Sequence, residues 1–249
     1  MGFVFLGSIL TKSASWFDAT GLVVTRKMRI LALDSATSAC SAAVLCDGEI
    51  TAHRYEEMSR GQAESLIPMI ADTMSAAELE FDLLDAIAVT VGPGAYTGVR
   101  IGLSTAQSLA LASGKPLVGV TTLEAVFAAQ GETFTPCLVA LDTKREDLYI
   151  QLFDATGEAL TEALAVEEKQ ISMAVSVHGI KVVGDAAERA ARALNDAGIA
   201  AKMHYGPMLP DASWIARIAA GRFSEGALVP VEPIYLRAPD VGPPPKPIA

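Results

Sequence analysis

The sequence predicts an α/β protein of two similar lobes, each with a mixed β-sheet flanked by helices. A unit of strand, acidic residue, polar turn and strand begins near residue 29 and returns near residue 137. Apolar runs of strand length alternate with longer stretches of helical periodicity, which is typical of sheets covered by helices. A duplicated unit of this kind favours two lobes with a cleft between them.

The first copy opens with a strand over 29–34 that ends in Asp34. A second strand, 40–46, follows after a polar turn. The dipeptide at 47–48 is Asp-Gly, which favours a tight hairpin, and 49–55 then forms a third strand.

The second copy repeats this order over 137–142, which ends in Asp142. A polar turn at 143–146 leads to a strand over 147–153, and a turn at 154–157 precedes a further extended stretch. The tripeptide Ala-Leu-Asp occupies the same place in both copies, so the two strands are predicted to be equivalent.

A glycine-rich loop joins the buried strand 86–91 to a helix that ends at Ser113. Gly92, Gly94 and Gly98 permit unusual backbone angles and close approach of another group. Their spacing matches neither a P-loop nor a dinucleotide-binding fingerprint. The layout indicates a ligand site or a tight docking site, although such loops also serve merely to make a turn.

Composition limits the classes of function. The chain has 249 residues, 51% of them hydrophobic, and a net charge of −10. This charge argues against extended direct contact with nucleic acid phosphates, so RNA is expected to be contacted only indirectly, through a basic partner. The three cysteines form no Cys-x-x-Cys pair and the three histidines lie far apart, which predicts reduced thiols, a cytoplasmic location and no metal site.

Residues 1–27 contain a short apolar run that suits neither a signal peptide nor a spanning helix. Met28 directly precedes the first convincing strand, which suggests translation from that residue. A late helix near 212–222 is a candidate to pack back on the N-terminal lobe. The predicted organisation is an extension outside the fold (1–27), an N-terminal lobe (28–132), a C-terminal lobe (133–237) and a proline-rich tail (238–249).

The duplicated unit resembles the actin, Hsp70 and sugar kinase superfamily. In its active members, acids at the ends of the two first strands reach a metal-bound nucleotide, a role that would fall to Asp34 and Asp142. An ATP-dependent phosphotransferase using these residues is therefore an alternative function. Ala36 stands where such kinases need glycine. The competing interpretation is that both carboxylates cap turn amides, with Lys144 or Arg145 beside Asp142.

Four segments carry a closer resemblance: 30–35, 64–70, the glycine loop with 96–102, and 233–237. Together they resemble the TsaB (YeaZ) family of the bacterial machinery that makes threonylcarbamoyladenosine in tRNA, over about 28–237. The resemblance implies a non-catalytic scaffold subunit that binds the catalytic subunit TsaD, with the ATPase TsaE joining them. It also implies no catalytic residues and no tightly bound cofactor, with ATP or ADP only at the level of the complex.

The two helices around these motifs are the predicted partner interface, for TsaD or, in its absence, for a second copy of the chain. Gly98, Gly102, Ala106 and Ala110 form a stripe along which another helix could approach closely. Burial of both helices within their own lobe is the alternative. The predicted interface comprises Leu66, Ile67, Met69, Ile70, Met74, Gly98, Arg100, Ile101, Gly102, Thr105, Ala106 and Leu109.

Overall fold

The computed structural model describes residues 15–17, 23–25, 28–131, 133, 135–175, 177–226 and 231–237. Strands β1 (Ser15–Phe17) and β2 (Val23–Thr25) form a separate two-stranded antiparallel sheet. The rest of the predicted extension and the whole of the predicted tail, 238–249, lie outside the described residues.

The N-terminal lobe is a five-stranded mixed sheet covered by helices. Its first three strands are antiparallel, and the other two run parallel to the first. Its elements are β3 (Arg29–Asp34), β4 (Ala39–Cys46), β5 (Glu49–Glu57), α1 (Gln62–Ala76), β6 (Ala86–Thr90), α2 (Tyr96–Ser113) and β7 (Leu117–Val120), and the strand order is β5-β4-β3-β6-β7.

The C-terminal lobe has the same topology. Its sheet is again three antiparallel strands followed by two parallel ones. This confirms the two-lobed α/β fold that the duplicated unit predicts. From residue 122 to residue 225 the elements are α3 (Thr122–Ala128), β8 (Cys137–Asp142), β9 (Asp147–Phe153), β10 (Leu164–Glu167), α4 (Ile171–Ala174), β11 (Ile180–Val183), α5 (Ala187–Asp196), β12 (Ala201–Met203) and α6 (Ala212–Glu225), and the strand order of this sheet is β10-β9-β8-β11-β12.

Strand β3 is buried on both faces because its side chains alternate between two helical layers. Leu31 and Leu33 belong to the cluster that contains α1 and α2 residues. Ile30 and Ala32 belong to a second cluster, with Ile215 of α6. The late helix α6 therefore covers the face of the N-terminal sheet opposite α1 and α2.

Helix α3 packs in the opposite direction, from the N-terminal segment onto the C-terminal sheet. It lies inside the segment predicted for the N-terminal lobe, but Leu123 and Val126 are buried with Val139 of β8 in the C-terminal lobe. Phe127 stacks on Phe153 with ring centroids 4.7 Å apart. Each sheet is thus covered on one face by a helix that the chain supplies from outside that sheet's own consecutive segment.

Candidate docking surface and the two acidic turns

Asp34 ends β3 in the interior of the N-terminal lobe and is fully buried. Its Oδ1 accepts hydrogen bonds from the Thr90 hydroxyl at 2.5 Å and from the Ala36 amide at 3.1 Å. Burial raises the pKa of Asp34 to about 7, although the hydrogen bond from Thr90 opposes the rise. Asp34 therefore caps its own turn, as the structural interpretation of the sequence proposed.

The glycine loop packs directly onto this turn. The Ala95 amide donates to the Ala36 carbonyl at 2.8 Å. A Cβ on Gly94 would lie 2.2 Å from the Ala36 oxygen, and one on Gly98 would lie 2.2 Å from the Ser35 oxygen. The loop contains glycine because another part of the same lobe approaches at backbone distance.

The small-residue stripe of α2 also faces the interior of this lobe. Gly98, Gly102, Ala106 and Ala110 are all buried, and a Cβ on Gly102 would meet the Ser35 hydroxyl at 3.0 Å. The small residues of the stripe allow this lobe's own turn and sheet to pack closely against α2. This corrects the expectation that they allow a partner helix to approach. Six residues of the predicted interface are core residues of the lobe: Leu66, Ile70, Met74, Gly98, Gly102 and Ala106.

The other six predicted interface residues reach the surface. Ile67 of α1 is 54% exposed, and Arg100 of α2 is also exposed. The remaining four are half-buried, namely Met69, Ile101, Thr105 and Leu109. Since α1 and α2 contact each other, these side chains define a candidate docking surface along the two helices.

Asp142 ends β8 at the equivalent place in the C-terminal lobe. Its Oδ1 accepts from the Lys144 amide at 2.9 Å and from Arg189 Nη1 at 2.9 Å, and the Lys144 ammonium lies 3.2 Å from Oδ2. Partial burial would raise the pKa of Asp142, but the hydrogen bonds from Lys144 and the charge of Arg189 outweigh it and hold that pKa below its usual value.

Around Asp142 the turn is closed by further contacts. Its amide donates to Asp185 Oδ1 at 2.8 Å, and Arg189 Nε contacts Glu168 Oε1 at 2.6 Å. In the described part of the chain, the hydrogen-bond partners of Asp34 and those of Asp142 share no residue. Asp142 is engaged through both carboxylate oxygens, whereas Asp34 is engaged through Oδ1 and its buried Oδ2 has no hydrogen-bond partner among the described residues. The separate sets of partners favour turn capping over a shared nucleotide site.

Comparisons with known proteins identify the family. The model described as "TsaD: tRNA N6-adenosine threonylcarbamoyltransferase" matches residues 52–209. The tRNA threonylcarbamoyladenosine biosynthesis protein TsaB of Escherichia coli (strain K12) is 34% identical over 230 residues, which cover 84% of this chain and 95% of that protein. The chain belongs to the TsaB (YeaZ) family.

Solved TsaB-family structures share the fold. A Pseudomonas aeruginosa protein described as similar to peptidase YEAZ superposes with a TM-score of 0.72 at 26% identity, covering 84% of this chain and 100% of the other. YeaZ from the same organism gives a TM-score of 0.69 at the same identity and coverage.

Two segments that carried the resemblance to TsaB meet in space, a contact that the sequence alone did not indicate. Tyr96 and Tyr235 lie with ring centroids 5.0 Å apart, and each is 40% exposed. Arg100 Nη1 donates to the Tyr96 hydroxyl at 2.6 Å, and the guanidinium carbon lies 5.2 Å from that ring. The spacing of Tyr96 and Arg100 on one helix face was the available signal, whereas Tyr235 is too distant in sequence to be placed.

Among the residues that the structure describes, this TsaB-family chain has neither a cluster of metal ligands nor a helix able to span a membrane. No group of three or more histidine, cysteine, aspartate or glutamate side chains is arranged to hold a metal ion there. No described helix combines the length and apolar character that spanning a bilayer requires.

Proposed function

We propose that this chain is a non-catalytic subunit of the machinery that makes threonylcarbamoyladenosine in tRNA. Membership of the TsaB family supports the process, since the Escherichia coli relative is named for that biosynthesis. The capping of Asp34 and Asp142 within their own lobes supports the absence of catalysis by this chain. The chain acts in the cytoplasm, as a scaffold.

The partner is a TsaD-type catalytic subunit, and the docking surface of α1 and α2 binds it. The observation that carries this assignment is Ile67, an isoleucine side chain 54% exposed beside the half-buried Met69. Ile101 and Leu109 add half-buried apolar surface from α2. Apolar side chains grouped on a surface mark sites of protein association.

The rest of the proposed assembly is what the resemblance to the TsaB family implies. A TsaE-type ATPase joins the pair, and ATP or ADP enters at the level of the complex. Without TsaD, the same surface pairs with a second copy of the chain. Arg100 and the rings of Tyr96 and Tyr235 form a polar and aromatic border to the surface, the composition that interfaces favour.

Size-exclusion chromatography with light scattering tests the proposal. The protein is mixed with TsaD from the same organism, with and without ATP, and a stoichiometric complex is expected. Ile67→Asp should abolish that complex, because it places a charge in an apolar contact. The fold should persist, since the side chain is largely exposed.

Met173→Asp is the matched control, because Met173 is 88% exposed in the other lobe. This variant should form the complex as the unmodified protein does. Undiminished association of Ile67→Asp would overturn the assignment of the surface. Failure of the unmodified protein to bind TsaD, together with stoichiometric ATP binding by the chain alone, would instead favour a cleft phosphotransferase.

A further inference from the structure

The outer edge of the N-terminal sheet is formed by a long strand. Strand β5 has nine residues and is the last strand on its side of that sheet. The strands at the other three edges of the two five-stranded sheets are β7, β10 and β12, with four, four and three residues. Short edge strands are one way in which proteins prevent pairing with another chain. The edge of β5 lacks this protection, so it is a candidate site for strand pairing.

The pairing of β5 with β4 determines which main-chain groups reach the free edge. The Met58 amide donates to the Ser38 carbonyl at 3.0 Å, directly after the last register pair of the two strands. Hydrogen-bonded and non-hydrogen-bonded positions alternate along an antiparallel pair. The amides and carbonyls of His53, Tyr55 and Glu57 therefore point away from β4, towards the edge.

Two side-chain contacts agree with this assignment and hold the edge in place. Arg54 Nη1 donates to the His53 carbonyl at 2.9 Å, as a carbonyl outside the ladder with β4 permits. His53 Nε2 lies 3.0 Å from Asp211 Oδ1, at the start of α6. Strand β5 is thus fixed by β4 on one side and by α6 on one face, and it needs no reordering to accept a further strand.

The regular part of β5 defines one register for pairing with a second copy of the chain. The β4–β5 register shifts between Val44 and Leu45, so the uninterrupted stretch of β5 runs from Ala52 to Met58. Its central residue is Tyr55. Two copies that pair this whole stretch antiparallel are related by a two-fold axis, and each places its Tyr55 opposite that of the other.

This register brings opposite charges together. Counting outwards from Tyr55, Arg54 of each copy lies opposite Glu56 of the other, and His53 lies opposite Glu57. Arg54 and Glu56 are exposed, and neither forms an ion pair among the described residues. Moving the centre by one residue, to Arg54 or to Glu56, would instead place like charges opposite each other, which destabilises a strand pair.

The geometry of an antiparallel pair places these charges at short range. Residues 53, 55 and 57 would exchange main-chain hydrogen bonds across the axis, so Arg54 and Glu56 form the intervening non-hydrogen-bonded pairs. Opposing Cα atoms in such pairs are about 4.5 Å apart, closer than in hydrogen-bonded pairs. The His53 carbonyl would then accept from the Glu57 amide of the second copy, and Arg54 would turn from that carbonyl to the opposing carboxylate.

We propose that β5 pairs antiparallel with β5 of a second copy, about a two-fold axis at Tyr55, so that two N-terminal sheets join into one. The occupant is a second copy because the regular stretch and the charge pattern of the edge share the same centre and are complementary to themselves. Few residues are buried, so a weak dimer is expected that forms as the concentration rises. The pair uses none of the docking-surface residues, and the proposal goes beyond the scaffold function.

Sedimentation velocity of the full chain carrying Ile67→Asp tests the proposal, because this background removes self-association through the docking surface. A concentration-dependent dimer is expected. In the same background, Arg54→Glu and Glu56→Arg each create two like-charge pairs across the axis. Each should raise the dimer dissociation constant about tenfold or more.

Mixing the two single variants gives the sharpest measurement. One variant then has two acids at positions 54 and 56, and the other has two bases. A mixed dimer should therefore form although neither variant pairs with itself. The double variant Arg54→Glu/Glu56→Arg should restore the dimer, which also shows that the substitutions leave the fold intact.

Arg192→Glu is the matched control, since it makes the same charge change at an exposed position of α5 in the other lobe. It should dimerise as the Ile67→Asp protein does. The proposal is overturned if the Ile67→Asp protein stays monomeric at every concentration, if Arg54→Glu pairs as tightly as Arg192→Glu, or if the mixture of single variants stays monomeric. None of these outcomes affects binding of TsaD by the unmodified protein, which is measured separately.

Discussion

The Ser35 hydroxyl donates a hydrogen bond of 2.9 Å to the Gly98 carbonyl, in the first turn of α2. This bond is buried and joins residues 63 positions apart. Together with the close backbone approach of Gly94 to Ala36, it fixes the glycine loop against the end of β3. The loop therefore has a structural role within the N-terminal lobe, and its glycines are required by close backbone packing.

Gly98→Ala should destabilise the lobe. The added Cβ would lie 2.2 Å from the Ser35 carbonyl oxygen, a backbone atom that cannot turn aside. Overpacking of this kind costs about 1–3 kcal/mol and occasionally more. Urea unfolding followed by circular dichroism measures the loss.

Gly221→Ala serves as the control for that substitution. Gly221 lies inside α6, and a Cβ there would meet no atom within 4 Å. Alanine in an open helix interior should therefore raise the free energy of unfolding by about 0.5–1 kcal/mol. Equal effects of the two substitutions would contradict the packing that we describe.

Asp34→Asn should change how stability depends on pH. Burial raises the pKa of Asp34 to about 7 from its ordinary 3.8, so folding takes up a proton between these values. Its contribution to the free energy of unfolding is complete below pH 4 and is lost as the pH rises to about 7. Asparagine retains the Oδ1 acceptor and cannot ionise.

The variant should therefore be more stable than the unmodified protein at pH 8, by roughly 1–3 kcal/mol, with the difference shrinking as the pH falls below 7 and approaching zero only below about pH 4. Urea unfolding of both proteins across this pH range measures the difference in the free energy of unfolding. Taking the difference cancels the contributions of the other titrating groups, which the two proteins share. Parallel curves for the two proteins would show that Asp34 is ionised without penalty.

Much of the fold could be predicted from the sequence because its signals are local. The matching strands that end in Asp34 and Asp142, and the Asp-Gly hairpin, each lie within a few residues, so periodicity and turn chemistry define them. The packing of α6 on the N-terminal sheet was a candidate from the sequence, whereas the packing of α3 on the C-terminal sheet depends on tertiary contacts that no local pattern records.

Which residues of the predicted interface reach the surface could be predicted only in part, for a related reason. Ile67 and Ile70 are both apolar helix residues, but Ile67 is 54% exposed and Ile70 only 2%. Both residues are isoleucine, so only the position of the sheet beneath α1 decides which of the two side chains is exposed. Likewise, a glycine on a helix permits close approach whether the approaching group is a partner or, as at Gly98, the lobe's own Ser35.

Arg189→Gln should destabilise the C-terminal lobe. The guanidinium joins Asp142, Glu168 and the Arg145 carbonyl, at 2.9, 2.6 and 2.9 Å. Hydrogen bonds between charged groups contribute about 1.5–3 kcal/mol each, and partial exposure reduces this, so we expect a loss of about 2 kcal/mol.

The control for this change is Arg192→Gln on the same helix, at an exposed position. Surface substitutions of this kind usually alter stability by less than about 0.5 kcal/mol. Chemical denaturation of both variants makes the comparison. A loss no larger in Arg189→Gln than in Arg192→Gln would mean that the three contacts supply no net stability.

Arg237 should couple the C-terminal segment of the described chain to the second lobe. Its Nη1 contacts Asp147 Oδ1 at 2.9 Å, while three residues earlier the Ile234 amide donates to the Val91 carbonyl of the first lobe at 2.7 Å. The segment 231–237 therefore contacts both lobes, and its arginine supplies an ionic contact to the C-terminal one.

A double-mutant cycle of Arg237→Gln and Asp147→Asn measures this contact. Residues in direct contact have coupling energies of about 0.5–3 kcal/mol, and the Asp147 side chain is only 15% exposed, so a value near 1 kcal/mol is expected. Free energies of unfolding for the four proteins give the coupling directly. Additive losses would show that the ion pair does not link the lobes energetically. The segment would then be held to the first lobe alone, by the hydrogen bond from Ile234 and the packing of Val231.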